Sequence, residues 1–163
     1  MTLATHIVIA AAVTKNIASR HPVLGFFAAI ASHYLSDAIP HWDYSLRATE
    51  HNEDMEKLRW GRNRALMWRD LRHFALDGFL GVAVVLIAIR PVSAAQWTWA
   101  GLSIVGGALP DFLQGLYFLG MRFLLPLQRF HDLAHTKMRL GPYPLIGIPF
   151  QALIFLLAVF VLS

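Results

Sequence analysis

Hydrophobic positions along the chain gather into five runs separated by polar stretches. Thr2 to Ala18 and Pro22 to Pro40 are apolar but interrupted, the first by His6 and Lys15 and the second by His33 and Asp37. Phe74 to Ile89 is broken only by Asp77, and Pro91 to Pro110 carries no charge. Leu140 to Ser163 is also uncharged and includes LIGIPFQALIFLLAVFVL. A helix rises 1.5 Å per residue, so about 20 apolar residues cross a hydrocarbon core. The last run therefore predicts a transmembrane helix, and the two before it predict further spans. The first two predict spans or, because of their polar interruptions, buried or interfacial helices. Between the runs lie a polar insertion at 41–73, helix-prone around EDMEKLRWGRNRALMWRDLRH, and a connector from Met121 to Pro142. The pattern predicts an all-α, polytopic membrane helical bundle of about five hydrophobic helices, forming a single domain over residues 1–163.

Composition supports this class: 56% of residues are hydrophobic and only 15% charged, against about 25% charged in ordinary soluble domains. If the five segments cross in turn, His6, His33 to Asp43, His73, Asp77, Asp111, His131 and His135 all fall on one side. Eleven of the 14 Lys and Arg residues fall there too. By the positive-inside rule that side is cytoplasmic. The net charge of +4 is thus an orientation signal, and nucleic acid is not an expected partner. The amino-terminal apolar run has no Lys or Arg before it, so it reads as retained and not as a cleaved signal peptide. Cysteine is absent, which removes thiolate metal sites and cysteine nucleophiles. Any metal chemistry must use His, Asp and Glu.

Those residues recur at a telling spacing. His33 and Asp37 in ASHYLSDAIP are four apart, on one helical face, able to converge on one ion. Pro40 should end that helix, with His41 and Asp43 just beyond it. His73 and Asp77 repeat the spacing, as do His131 and His135. One such pair is ordinarily a surface contact worth about 0.2–0.5 kcal/mol. Three in one apolar chain point further, because ionisable groups within membrane segments persist when paired, hydrated or liganded. Asp111 follows Pro110 in GGALPDFLQ, where a kink would expose backbone beside the carboxylate. His6 joins the set by topology, while His21 and His51 read as solvated. Trp42, Trp60, Trp97 and Trp99 read as interfacial anchors. The set predicts metal ligands at His6, His33, Asp37, His73, Asp77, Asp111, His131 and His135. His41 and Asp43 are candidates for ligation or for catalytic acid/base work. Such donors suit zinc, manganese or iron, as one or two ions.

At these residues the chain resembles the YdjM-like family of inner-membrane metal-dependent hydrolases, and its site is similar to the zinc-dependent phospholipase C type. The resemblance rests on Thr5-His6, the S-H-x-x-x-D run from Ser32 to Asp37, the L-P-D run from Leu109 to Asp111, and the H-x-x-x-H-T run from His131 to Thr136. It implies a helical protein of the bacterial inner membrane with a metal-dependent hydrolase site, zinc being the first expectation.

The combined expectation is a metal-dependent hydrolase facing the cytoplasm, acting through metal-activated water on a phosphate ester or lipid-like substrate. Membrane lipid is the expected partner. The Arg-rich stretch from Arg59 to Arg72 is either a positive-inside loop or a holder of anionic headgroups. The rival readings are a divalent-metal transporter and a structural or regulatory membrane protein stapled by its metal.

Overall fold

The computed structural model describes residues 1–49 and 59–163; His51 and the beginning of the helix-prone stretch lie outside them. Among the described residues the chain is all-helical: α1 (Leu3–Thr14), α2 (Pro22–Asp37), α3 (Arg64–Ile89), α4 (Ala94–Phe118), α5 (Leu125–Ala134) and α6 (Pro144–Leu162). A short 3-10 turn, Arg122–Leu124, leads into α5.

Local signals set several of these ends. Pro22 and Pro144 stand in the first turns of α2 and α6, where the missing N–H costs no helical bond. Asn63 caps α3 by accepting from the Ala65 and Leu66 amides. Ser93 and Gln96 form a reciprocal capping box at the start of α4. Pro110 lies inside α4, which runs on to Phe118 without a break.

The interior is organised around α1, which packs against α2, α3, α4 and α6. It can be central because it is thin: Ala4, Ala10 and Ala11 are buried along it. The consecutive glycines of α4 serve two neighbours at once, being about 100° apart around the helix. A β-carbon on Gly106 would come within 2.6 Å of Ala29 Cβ on α2, and one on Gly107 within 3.0 Å of the His6 carbonyl on α1. Close approach of this kind is how small residues bring helices together in membranes. At its other end α1 is tied by hydroxyls, with Thr14 Oγ1 2.7 Å from Ser103 Oγ. Trp99, expected as an interfacial anchor, is buried, its indole N–H donating to the Ala11 carbonyl at 3.2 Å.

Two helices, α3 and α6, are long and apolar enough to cross a membrane. Few residues of either are buried, so neither is a buried core helix, and neither lies at the amino terminus. Phe79, Leu80, Leu145 and Phe160 are exposed on them. By contrast α1 has 12 residues and α2 has 16, shorter than the ~20 a crossing requires. Among the described residues α3 and α6 combine the length and the apolarity of a crossing, while α4, at 25 residues, has the length without being one of these two. The connector from Met121 to Pro142 also contains more order than its polarity suggested, because α5 lies within it.

Candidate metal centre

Asp37 is the last residue of α2, and its carboxylate is the hub of the centre. One oxygen, Oδ1, lies 3.1 Å from His6 Nε2 on α1 and 3.8 Å from His41 Nε2 in the loop after α2. The other, Oδ2, lies 3.2 Å from both His33 Nε2, one turn earlier on α2, and His131 Nε2 on α5. Asp111 of α4 closes the second group, its Oδ1 3.6 Å from His33 and 3.9 Å from His131. Asp43 Oδ2 stands 3.2 Å from His41 Nε2 and 3.8 Å from His135 Nε2. Two backbone hydrogen bonds fix the loops: the Thr136 amide donates to the Asp37 carbonyl at 2.8 Å, and the Leu140 amide to the His41 carbonyl at 3.0 Å. They bring the segment after α5 beside the segment after α2, so His135 meets His41 with ring centroids 4.8 Å apart.

The outer nitrogens of the imidazoles decide what the inner ones present. His33 Nδ1 lies 2.8 Å from the Gly107 carbonyl, His41 Nδ1 2.7 Å from the Ile39 carbonyl, and His135 Nδ1 3.2 Å from the Thr136 carbonyl. A carbonyl only accepts, so each of these Nδ1 atoms is the donor. Ser36 gives its hydroxyl proton to the His33 carbonyl at 2.8 Å and therefore accepts from His6 Nδ1 at 3.0 Å. In the neutral ring each Nε2 is then a bare lone pair aimed at carboxylates that are themselves lone-pair donors. Three of these inner atoms, His6 Nε2, His33 Nε2 and Asp37 Oδ2, are buried with no hydrogen-bond partner.

A cation resolves that arrangement. The residues fit a metal: outer N–H groups anchored on carbonyls are the usual support of ligating histidines. Tetrahedral ligands at 2.0–2.1 Å from one zinc stand about 3.3 Å from each other, within the range of the separations here. Three overlapping ligand groups emerge: His6, His33 and Asp37; His33, Asp111 and His131; and Asp37, His41 and His135. A positive group already stands among them, for the Met1 amino nitrogen lies 3.0 Å from Asp37 Oδ1 and 3.2 Å from Asp43 Oδ2.

The centre is closed on most sides. His6 and His33 are fully buried and Asp37 is 1% exposed, whereas the Asp43 side chain is 44% exposed and marks the mouth. Burial works to raise the Asp43 carboxyl, but hydrogen bonds from His135 and His41 outweigh it and hold the group well below the usual carboxylate range. Burial likewise pulls His135 down, yet its hydrogen bond with Asp43 leaves its pKa raised.

Eight of the ten residues expected from sequence are brought together: His6, His33, Asp37, His41, Asp43, Asp111, His131 and His135. His73 and Asp77 are not. Asp77 accepts from the Leu3 amide at 2.6 Å, capping the helix that carries His6. The His73 ring lies near Tyr44, with centroids 6.4 Å apart. The supporting partners Ser36 and Gly107 were not singled out beforehand. Ser36 does lie inside the S-H-x-x-x-D run, three residues after His33, the spacing at which a hydroxyl reaches back to a carbonyl.

Comparison with protein-family models, curated proteins and solved structures found no match.

Proposed function

We propose that the chain is a membrane-embedded, metal-dependent hydrolase of phosphate esters, whose His and Asp residues would hold two divalent ions with Asp37 contributing to both. The observation that supports this most is the division of Asp37: its two oxygens face two different sets of imidazoles. His33, His131 and Asp111 complete one position with Oδ2. His6, His41 and His135 complete the other with Oδ1. Zinc is the first candidate for an all-nitrogen-and-oxygen set of this kind, with manganese and iron behind it.

Divalent ions bound here would supply a water acidified toward neutral pH and a clamp on the phosphoryl oxygens. The chain itself does the rest. Gly107, Ile39, Thr136 and Ser36 fix the tautomers of four imidazoles, so that no ring has to reorient during turnover. Asp43, at the solvent-exposed mouth, would orient the attacking water and accept its proton. The water oxygen would bond to phosphorus as the P–O ester bond breaks, and the proton taken up by Asp43 would pass to the departing oxygen, which leaves as an alcohol. Buried walls around His6, His33 and Asp37 keep bulk water from competing.

The membrane setting rests on α3 and α6. With the site end of the bundle on the Lys- and Arg-rich side, the positive-inside rule turns the mouth to the cytoplasm. The test is elemental analysis of detergent-purified protein, followed by assay of bis(4-nitrophenyl) phosphate with each metal restored. Two equivalents of transition metal and metal-dependent release of nitrophenol are expected. No metal after reloading overturns the reading. Metal flux in proteoliposomes without ester hydrolysis would establish a transporter instead, and bound metal with neither activity would leave a structural staple.

A further inference from the structure

Helix α5 is built the wrong way round for water. Its inner side is polar, with Gln128 and His131 buried, while its outer side is apolar: Leu127, Phe130 and Leu133 are exposed there, with Phe123 in the turn before it. Leu133 is 83% exposed and Phe123 78%. A surface helix of a water-soluble protein turns its apolar stripe to the core and its polar face to solvent. Here the polar face is spent on the metal centre, and the apolar face is left outside.

The place of α5 in the chain says what covers that face. The 19 residues of α6 measure about 28 Å, close to the thickness of the hydrocarbon core, so its first turn at Pro144 stands at one boundary. Tyr143, exposed just before it, stands where membrane proteins place their aromatic belts. Only residues 135–143 separate α5 from that turn, and they are pinned, Thr136 to the Asp37 carbonyl and Leu140 to the His41 carbonyl. Helix α5 therefore lies near the same boundary. Its ten residues make about 15 Å, half of a crossing.

Charge fits the same occupant. Between Met121 and Tyr143 the charged residues are Arg122, Arg129, Lys137 and Arg139 against Asp132. Arg129, Lys137 and Arg139 are exposed, whereas Asp132 accepts from Gln128 at 2.8 Å. An apolar face flanked by cations is the pattern that lies in a membrane interface, the long stems along acyl chains and the charges at lipid phosphates. A second copy docked face to face would instead bring these cations against one another.

We propose that α5 and the turn before it form an interfacial membrane-binding helix. Its outer side is sunk at the acyl boundary of an anionic bilayer, Arg129, Lys137 and Arg139 meet the headgroup phosphates, and its inner side carries His131 to the metal centre. Lipid then comes within about one helix thickness, 10 Å, of His131. The inference rests on the membrane setting proposed for α3 and α6, and not on hydrolysis.

The chain has no cysteine, so single-cysteine variants can be labelled with bimane and read in proteoliposomes of phosphatidylcholine and phosphatidylglycerol. Phe123→Cys and Leu133→Cys replace exposed side chains of the proposed face, and Leu153→Cys one exposed midway along α6. Labels at 123 and 133 should be shielded from aqueous iodide and quenched at least about twofold more by 5-doxyl than by 12-doxyl lipid, the depth of an interfacial helix. The label at 153 should show the opposite order. Moving the 5-doxyl group from phosphatidylcholine to phosphatidylglycerol should deepen quenching at 133 by at least about twofold, by enrichment of anionic lipid at the cations. Arg129→Gln, Lys137→Gln and Arg139→Gln together should abolish that preference. Iodide access at 123 and 133, shielding from iodide and both doxyl lipids, or deeper quenching by 12-doxyl would each overturn the interfacial helix. Equal quenching by the two 5-doxyl lipids would overturn its anionic partner. If the label at 153 escapes 12-doxyl as well, the membrane setting itself falls; if it does not, only α5 is reassigned.

Discussion

The chain holds two His-x-x-x-Asp pairs that read alike, and they end in different chemistry. His33 and Asp37 lie at the end of α2, where α1, α4 and α5 deliver His6, Asp111 and His131 to the same point. His73 and Asp77 lie along α3, and what meets Asp77 there is the amino end of α1, whose Leu3 amide it accepts. The i, i+4 spacing does the same thing in both places: it puts an imidazole and a carboxylate on one face. What differs is the supply of further ligands. A metal site requires convergence from several elements, whereas a helix end requires a single acceptor. Asp77 still serves the site, at one remove, by anchoring the helix that carries His6.

This contrast can be broken by substitution, and the largest effect belongs to Asp37. Asp37→Ala removes the carboxylate whose two oxygens face the two ligand sets, so elemental analysis should fall from two equivalents of metal to none. Two equivalents retained in a folded variant would dissolve the comparison. Asp111→Asn should cost one ion of the two, because Asp111 approaches only His33 and His131.

A smaller loss is expected from Ser36→Ala, which leaves His6 without its outer partner while keeping every ligand. Metal affinity should drop by about 10–100-fold, read by competition with a chelating dye. Unchanged affinity would show that the tautomer is fixed by packing alone. The pH response follows from the same geometry. His135 binds its proton more tightly than a free imidazole, and ligation must displace it. Below its raised pKa the metal affinity should therefore weaken by about tenfold per pH unit for each proton displaced, while above it that dependence flattens.

The smallest effect is the counterpart on α3. Asp77→Asn weakens the cap on α1, costing about 1 kcal/mol. In a domain of this size that lowers Tm by about 2–4 °C, with metal content unchanged. His73→Ala should leave both content and affinity as they are. Metal loss in either variant would draw the second pair into the centre after all.

Much of this was legible in the residue order, and the reasons are local. The five apolar runs fall on α1, α2, α3, α4 and α6, and α6 was plain from its uncharged length alone. Proximity of His33 to Asp37 and of His131 to His135 followed from helical spacing. Other features were not legible, because they depend on neighbours distant in sequence. Pro110 passes through α4 without breaking it. Trp99 is buried instead of interfacial, since a backbone carbonyl of α1 awaits its indole. The connector after α4 contains a helix, α5, whose buried side carries Gln128 and His131 while Phe130 and Leu133 face outward.

The sequence by itself determined the class of the molecule and the chemistry open to it. Apolar runs favour helices because backbone polar groups are then satisfied within the segment, and a chain without cysteine leaves any metal to imidazole and carboxylate. Only the tertiary structure decided which of ten candidate residues act together. Glycines at 106 and 107 let α4 close on α1 and α2, and the loops after α2 and α5 are hydrogen-bonded to each other. Convergence on a point a few ångströms wide is set by such contacts between distant segments, and residue spacing along one helix carries no record of them.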